Sequence, residues 1–293
     1  MKVILSRKGM DASSGGIPSP VIWSDKGYWK FYSLPIPRKD PDIQYSDLTL
    51  YDDFTLADFI SDVAPHKYIP EYCHLDPDVR ESCLKDRPPG WRRAFGQVGS
   101  AQSHLESFAV GKGDVFLFFG WFKRAEYKEG KFRYVKDKNY PNGFHAIYSY
   151  LQVDEIYKPN LEETPEWLQY HPHVKFRNSS VYKYPNNTVY VSADFFDYPE
   201  DFKKNGSVSF VFRDDLILTK AGQSNRSLWE LPLHLHPENG IKLSYNPASR
   251  WRKEDQKAIL QSAGRGQEFV FTDSGNAVEN WCIDLIKYHQ VTD

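Results

Sequence analysis

The hydrophobic positions of the chain fall in short blocks separated by polar turns. Lys2-Val3-Ile4-Leu5-Ser6 reads as a buried strand that runs directly into a polar, glycine- and serine-rich stretch, Arg7 to Pro18. Val21-Ile22-Trp23 and Phe31 to Pro37 read as short strands around the turn Ser24-Asp25-Lys26-Gly27. The strongest strand is Val115 to Phe122 and a second is Phe144 to Val153, and these two are expected to be partners across a lysine-rich hairpin region, Lys123 to Lys138. Thr188 to Ala193, Val208 to Phe212 and Glu268 to Phe271 complete the strands. Helical spacing appears at Phe54 to Val63, with Asp52 or Asp53 as cap, and at Trp91 to Val110, where Gly96 and Gly99 weaken it. It appears again at Lys253 to Ser262 and at Ala277 to Tyr288, whose Val278, Trp281, Cys282, Leu285 and Ile286 form one stripe. No repeat and no Pro/Gly/Ser-rich linker divides the chain. The pattern predicts an α+β fold: a single domain over residues 1–293, with a mixed, largely antiparallel sheet and flanking helices.

Composition narrows the function classes. The 293 residues carry 37 basic and 39 acidic side chains, a net charge of −2, which argues against a surface coated in Lys and Arg but leaves room for local basic patches. Cys73, Cys83 and Cys282 are odd in number and badly spaced for a disulfide framework or a four-cysteine zinc site, which favours a reducing, cytoplasmic setting. The longest apolar runs stop far short of the roughly 20 residues of a membrane span. The apolar core of Met1 to Arg7 is shorter than the about 7–15 residues of a signal peptide. A soluble, unexported protein with no membrane partner is expected. Aromatic residues reach 16 %, an excess that serves core and β-structure first and base or sugar stacking second.

Four constellations carry chemistry. After the first strand, Arg7 and Lys8, the hydroxyls of Ser13 and Ser14, and glycines including Gly15 are the ingredients of a phosphate cradle, although the spacing is neither GxGxxG nor a P-loop; a plain surface loop of turn-formers explains them equally well. In His74-Leu75-Asp76-Pro77-Asp78, alternate side chains of an extended chain share a face, so His74, Asp76 and Asp78 could hold a divalent metal or do acid–base work. A helix start competes, with Asp76 as cap and Pro77 in the first helical position, and is the commoner explanation. His171-Pro172-His173 and His234-Leu235-His236 have the spacing for two imidazoles on one ion, but neither has a carboxylate close by, and packing or backbone bonding is the commoner role. Residues 123 to 138 interleave seven basic and three acidic residues with rings, which makes Lys123, Arg124, Lys131 and Arg133 candidates for nucleic-acid contact, though a solvated hairpin has the same composition. There is no HExxH, CxxC or GxSxG, so zincins, zinc deaminases and α/β hydrolases lose support.

Several strings together resemble one family. Ser6 to Gly9 with Asp11 to Gly16, His74 to Asp78, Phe95-Gly96-Gln97, Gly113 to Phe122, His171 to His173 and Gly266 to Val270 resemble, in order, the third of the nucleotide modification associated domain families, across residues 1 to about 272. Met10 stands where the family pattern has an aromatic residue. The resemblance implies a place among genes for oxidised or hypermodified bases in bacterial, phage and some eukaryotic DNA, without naming a reaction. Combined with the residues, it leads us to expect a partner that is a nucleotide or DNA containing modified bases. The expected activity is that of an enzyme of transferase or glycosyl hydrolase type. Arg7, Lys8, Ser13, Ser14 and Gly15 would bind phosphate, and Asp76, Asp78, Asp11 and His74 would be the catalytic candidates. The alternative is a binding module that recognises modified bases without changing them. No motif names a cofactor, and no obligatory metal is expected; His171, His173, His234 and His236 would be the ligands if one were found. The site is expected to lie between the loop after the first strand and the segment around Asp76.

Overall fold

A strand covered on both faces must be apolar at successive positions, and the centre of this fold is built that way. In the computed structural model, which describes residues 1–197, 204–264 and 266–289, the strand Val115–Lys128 is buried along its first six residues. Val3–Arg7 runs parallel to it, Val3 opposite Val115 and Arg7 opposite Phe119. Phe144–Tyr157 runs antiparallel on its other side, Phe122 opposite Phe144 and Val115 opposite Gln152, which is the expected partnership. Glu268–Thr272 lies antiparallel to Val3–Arg7. Thr188–Ser192 and then Ala94–Gln97 extend the sheet beyond Phe144–Tyr157. The outcome is an α+β fold around a mixed, mostly antiparallel sheet, 11-stranded among the described residues.

This sheet curls. Ala94–Gln97 ends the strand path on one side and Glu268–Thr272 lies near the other end, yet Gln97 Nε2 donates to Glu268 Oε1 at 2.6 Å. Rings fill the enclosed side: Phe95 meets Phe116 and Phe118 edge-on at 4.9 and 5.3 Å and stacks on Tyr190. Four α-helices are described, α1 (Leu56–Val63), α2 (Gly99–Ser107), α3 (Pro172–Lys175) and α4 (Ala277–His289). The stripe expected on α4 is its buried face, with Trp281 edge-on to Phe271.

Four local expectations fail, each for a physical reason. The helix expected at Trp91–Val110 is divided, because Ala94 and Phe95 pair with Val191 and Tyr190 and helix α2 begins only at Gly99, whose φ is +66°. The helix expected at Lys253–Ser262 is a hairpin of Trp251–Glu254 with Lys257–Gln261. Its turn is made by Asp255 and Gln256 at φ +46° and +59°, values that non-glycine residues seldom adopt, so no turn signature marks it. No helix starts at Asp76-Pro77: Asp78 exchanges backbone bonds of 2.9 and 3.1 Å with Ala94, which commits the chain to a β-bridge. Helix α1 is present but is capped by Thr55 in a capping box with Asp58, not by Asp52 or Asp53. Cys73, Cys83 and Cys282 are free and buried. No helix among the described residues is long and apolar enough to cross a membrane.

The core contains one histidine with a pH consequence. His145 is buried and its Nδ1 accepts a 3.1 Å hydrogen bond from Trp229 Nε1–H. Burial first, then the charges of Arg7 and Arg226, push its pKa from 6.5 down to about 3. The unfolded chain takes up a proton that the fold refuses, so this share of stability is whole above about pH 6.5 and is lost as the pH falls from there toward 3, by up to about 1.4 kcal/mol per unit. Urea midpoints measured at about pH 7 and pH 5 should therefore drop further for the wild type than for His145→Gln. Equal drops would show that the imidazole is not held neutral.

Candidate functional site

A buried carboxylate must find donors or positive charge. Asp76, with its side chain 5 % exposed, finds them on three segments. Its Oδ1 accepts the Gly96 backbone N–H at 2.7 Å and lies 3.4 Å from His171 Nε2. Its Oδ2 lies 3.6 Å from His74 Nε2 and 4.0 Å from His173 Nε2. Burial alone would raise its pKa, but the His171 and His74 imidazoles outweigh burial and hold the carboxyl well below the usual carboxylate range.

Local structure aims each ring. His74 ends the strand Tyr72–His74. His171 caps α3, its Nδ1 accepting the His173 backbone N–H at 3.3 Å. His173 Nδ1 bonds Asn187 Oδ1 at 2.6 Å. The Asn187 amide nitrogen already donates to Asn160 Oδ1 and to the His173 carbonyl, so its oxygen is the acceptor and His173 carries its proton on Nδ1. Burial, opposed by Asp76, lowers the His173 pKa to about 3, so the ring is neutral with Nε2 bare. Gly96 is required here for space, because a Cβ would stand 2.3 Å from His173 Cδ2. The ligating atoms of His74, Asp76 and His173 all lie within 4.8 Å of one another.

These side chains and the loop after the first strand line one cleft of about 310 Å³, shared by Arg7, Lys8, Gly9, Asp11, Ser14, His74, Asp76, Gln97 and His173. Arg7 donates to the carbonyls of Ala263 and Gly264 at 3.0 Å each, and its buried Nε–H has no partner among the described residues. Burial lowers its pKa and Asp11 opposes that shift. A larger cavity of about 610 Å³ beside Phe108, Ile241 and Val270 is mostly apolar, with Lys242 and Tyr245 as its titratable lining among the described residues.

Several expected site residues are otherwise engaged. Lys8 lines the cleft, but its Nζ donates to Glu268 Oε1 at 2.8 Å and sits 4.1 Å over the Phe95 ring, so its charge is already matched by Glu268. Asp11 Oδ1 accepts the N–H and hydroxyl of Ser13 and the N–H of Ser14 at 2.7, 2.7 and 2.8 Å. The loop amides thus close on Asp11, which organises the turn. Ser13 and Gly15 stand outside the cleft lining, and a Cβ on Gly15 would lie 2.4 Å from Met10 Sδ. Asp78 does not share a face with His74 and Asp76. It pairs with both Nη atoms of Arg87 and accepts from Trp91 Nε1 at 3.1 Å and from the Tyr170 hydroxyl; it borders not the Arg7 cleft but a small cavity that Asp76 also lines. His234 is exposed, while His236 is buried against Trp251 and accepts the Glu238 N–H, so the second His-x-His pair does not join the first. Lys123, Arg124, Lys131 and Arg133 lie on the hairpin away from the cleft lining; Arg124 is held by Asp137 and Asp214, and Arg133 by Glu129. Glu268 and Asn187 were not anticipated. A lone buried Glu in an apolar strand, Glu268-Phe269-Val270-Phe271, was the signal available for the former.

The family model described as nucleotide modification associated domain 3 matches residues 2–272, and the chain belongs to that family. No curated protein and no solved structure matches.

The separation of the two aspartates is testable by stability. Asp78→Ala leaves the Arg87 guanidinium buried without its carboxylate and should cost about 3–5 kcal/mol in denaturant unfolding. A loss under about 1 kcal/mol, the size of an exposed ion pair, would show that Asp78 faces solvent.

Proposed function

We propose that this member of the family is an enzyme acting on a nucleotide, or on DNA carrying modified bases, and that it transfers or removes a group on the base or its sugar. The observation that supports it is the single cleft in which the Arg7 guanidinium and the ionised Asp76, ringed by three imidazoles, face the same space. Its volume lies at the lower end of the roughly 300–1,000 Å³ of small-molecule sites, enough for one nucleotide or one base extruded from DNA. Arg7 has donors left for a phosphate, and the planar fork suits that group. Asp76, with its pKa held down, is a poor proton acceptor at neutral pH. It serves instead as a fixed anionic anchor beside positive charge, whether that charge develops on the sugar ring or belongs to a bound cation.

The test is incubation with DNA and with nucleotides carrying hydroxymethylated bases, followed by mass spectrometry of the nucleosides. Turnover is expected. Asp76→Asn should lower kcat by about 100-fold or more, and Arg7→Ala should raise KM by about tenfold or more with a smaller effect on kcat. Tight binding of modified DNA without turnover would instead identify a reader of modified bases. Neither binding nor turnover would remove nucleotides from the account.

A further inference from the structure

We propose that His74, Asp76 and His173 bind one divalent first-row transition-metal ion, with open coordination positions facing the cleft. Spacing is the first argument. Two ligands each about 2.1 Å from an ion stand about 3.4 Å apart in a tetrahedral site and cannot exceed about 4.2 Å. Asp76 Oδ2 stands 3.6 Å from His74 Nε2 and 4.0 Å from His173 Nε2, too far for direct hydrogen bonds and within reach of a shared ion after a small contraction.

Proton bookkeeping gives the second argument. His173 spends its Nδ1–H on Asn187, the outer bond that fixes a ligating imidazole, and turns a bare Nε2 toward Asp76. His74 has the Tyr182 hydroxyl 3.5 Å from Nδ1, which leaves its Nε2 for the same point. The carboxylate is divided correspondingly: Gly96 N–H holds Oδ1, and Oδ2 is the oxygen that faces the two rings. His171 is not a ligand in this arrangement. Its Nδ1 accepts a backbone N–H, so Nε2 carries the proton; that nitrogen lies 3.4 Å from Asp76 Oδ1 without forming a hydrogen bond to it. It is a positioning residue.

Ligand chemistry selects the ion class. Two imidazoles and one carboxylate suit Zn²⁺, Fe²⁺, Co²⁺ or Mn²⁺, whereas Mg²⁺ and Ca²⁺ take oxygen ligands. Three protein ligands on a cleft wall resemble a reactive site more than a closed structural one, which normally has four. The expectation of no obligatory ion supposed that Asp78 would have to be the third ligand; Asp78 turns away, and His173 takes that place from a distant segment.

Metal content is the readout, so the outcome is independent of whether the substrate class above is right. The purified full-length protein is stripped with chelator, reloaded separately with Zn²⁺, Co²⁺, Mn²⁺ or, anaerobically, Fe²⁺, gel-filtered and analysed by plasma mass spectrometry. One equivalent of at least one of these ions per chain is expected in the wild type and in His234→Ala, falling below about a tenth of an equivalent in His74→Ala and His173→Ala. Gly96→Ala, which removes no ligand but displaces the His173 ring, should weaken the apparent affinity by about tenfold or more. A wild type that retains none of the four ions, or a His173→Ala protein that retains as much as the wild type, would overturn the proposal. Should the histidine variants fail to fold, X-ray absorption of the metal-loaded wild type decides: two imidazoles in the first shell support the site, and an imidazole-free shell overturns it.

Discussion

The rest of the structure is arranged around a carboxylate taken out of water. Asp76 is ionised and buried, a state that costs several kcal/mol unless polar partners surround it. Those partners come from places far apart in the chain: the strand ending at His74, the strand Ala94–Gln97 through Gly96, and the short helix α3 through His171 and His173. Each local oddity follows from that gathering. Gly96 has no side chain because His173 occupies the space a Cβ would need. Asn187 is fully buried because it orients His173.

A second buried charge ties this cluster to the sheet. Glu268 joins Lys8, at the end of the first strand, to Gln97, at the far end of the strand path, so the curl of the sheet and the floor of the cleft depend on the same contacts. Breaking one partner of such a pair leaves an uncompensated charge in a low-dielectric interior, which is why the geometry around Arg7 is expected to be stiff. Phe95 links the two centres: its ring lies under the Lys8 ammonium, and the residue that follows it, Gly96, holds Asp76.

How much of this could be read from the residues depends on whether the cause was local. The pairing of Val115–Phe122 with Phe144–Val153 and the stripe of helix α4 were legible because continuous or periodic burial writes itself into neighbouring positions. The hairpin at Trp251–Gln261 was not, since its turn uses Asp255 and Gln256 at positive φ without a glycine. The segment from Trp91 to Val110 mixes a strand and a helix whose apolar positions happen to continue one spacing. At the site, the expectation that the loop after the first strand and the segment around Asp76 meet rested on polar residues beside buried strands, and Arg7 and Asp76 do line one cleft. The partners that decide each role lie elsewhere in the chain: Glu268 for Lys8, Arg87, Trp91 and Tyr170 for Asp78, and Asn187 for His173. Alternation placed His74, Asp76 and Asp78 on one face. The β-bridge between Asp78 and Ala94 overrides it.

The central claim is that the Arg7 end and the Asp76 cluster are two ends of one nucleotide site. It is tested most directly by a crystal structure of the protein with a nucleoside monophosphate carrying a 5-hydroxymethylated base. The account predicts the nucleotide in the cleft, with phosphate on the Arg7 side and base or sugar against His74, Asp76 and His173. A nucleotide bound on the Lys123–Lys138 hairpin, with the cleft empty, would contradict it.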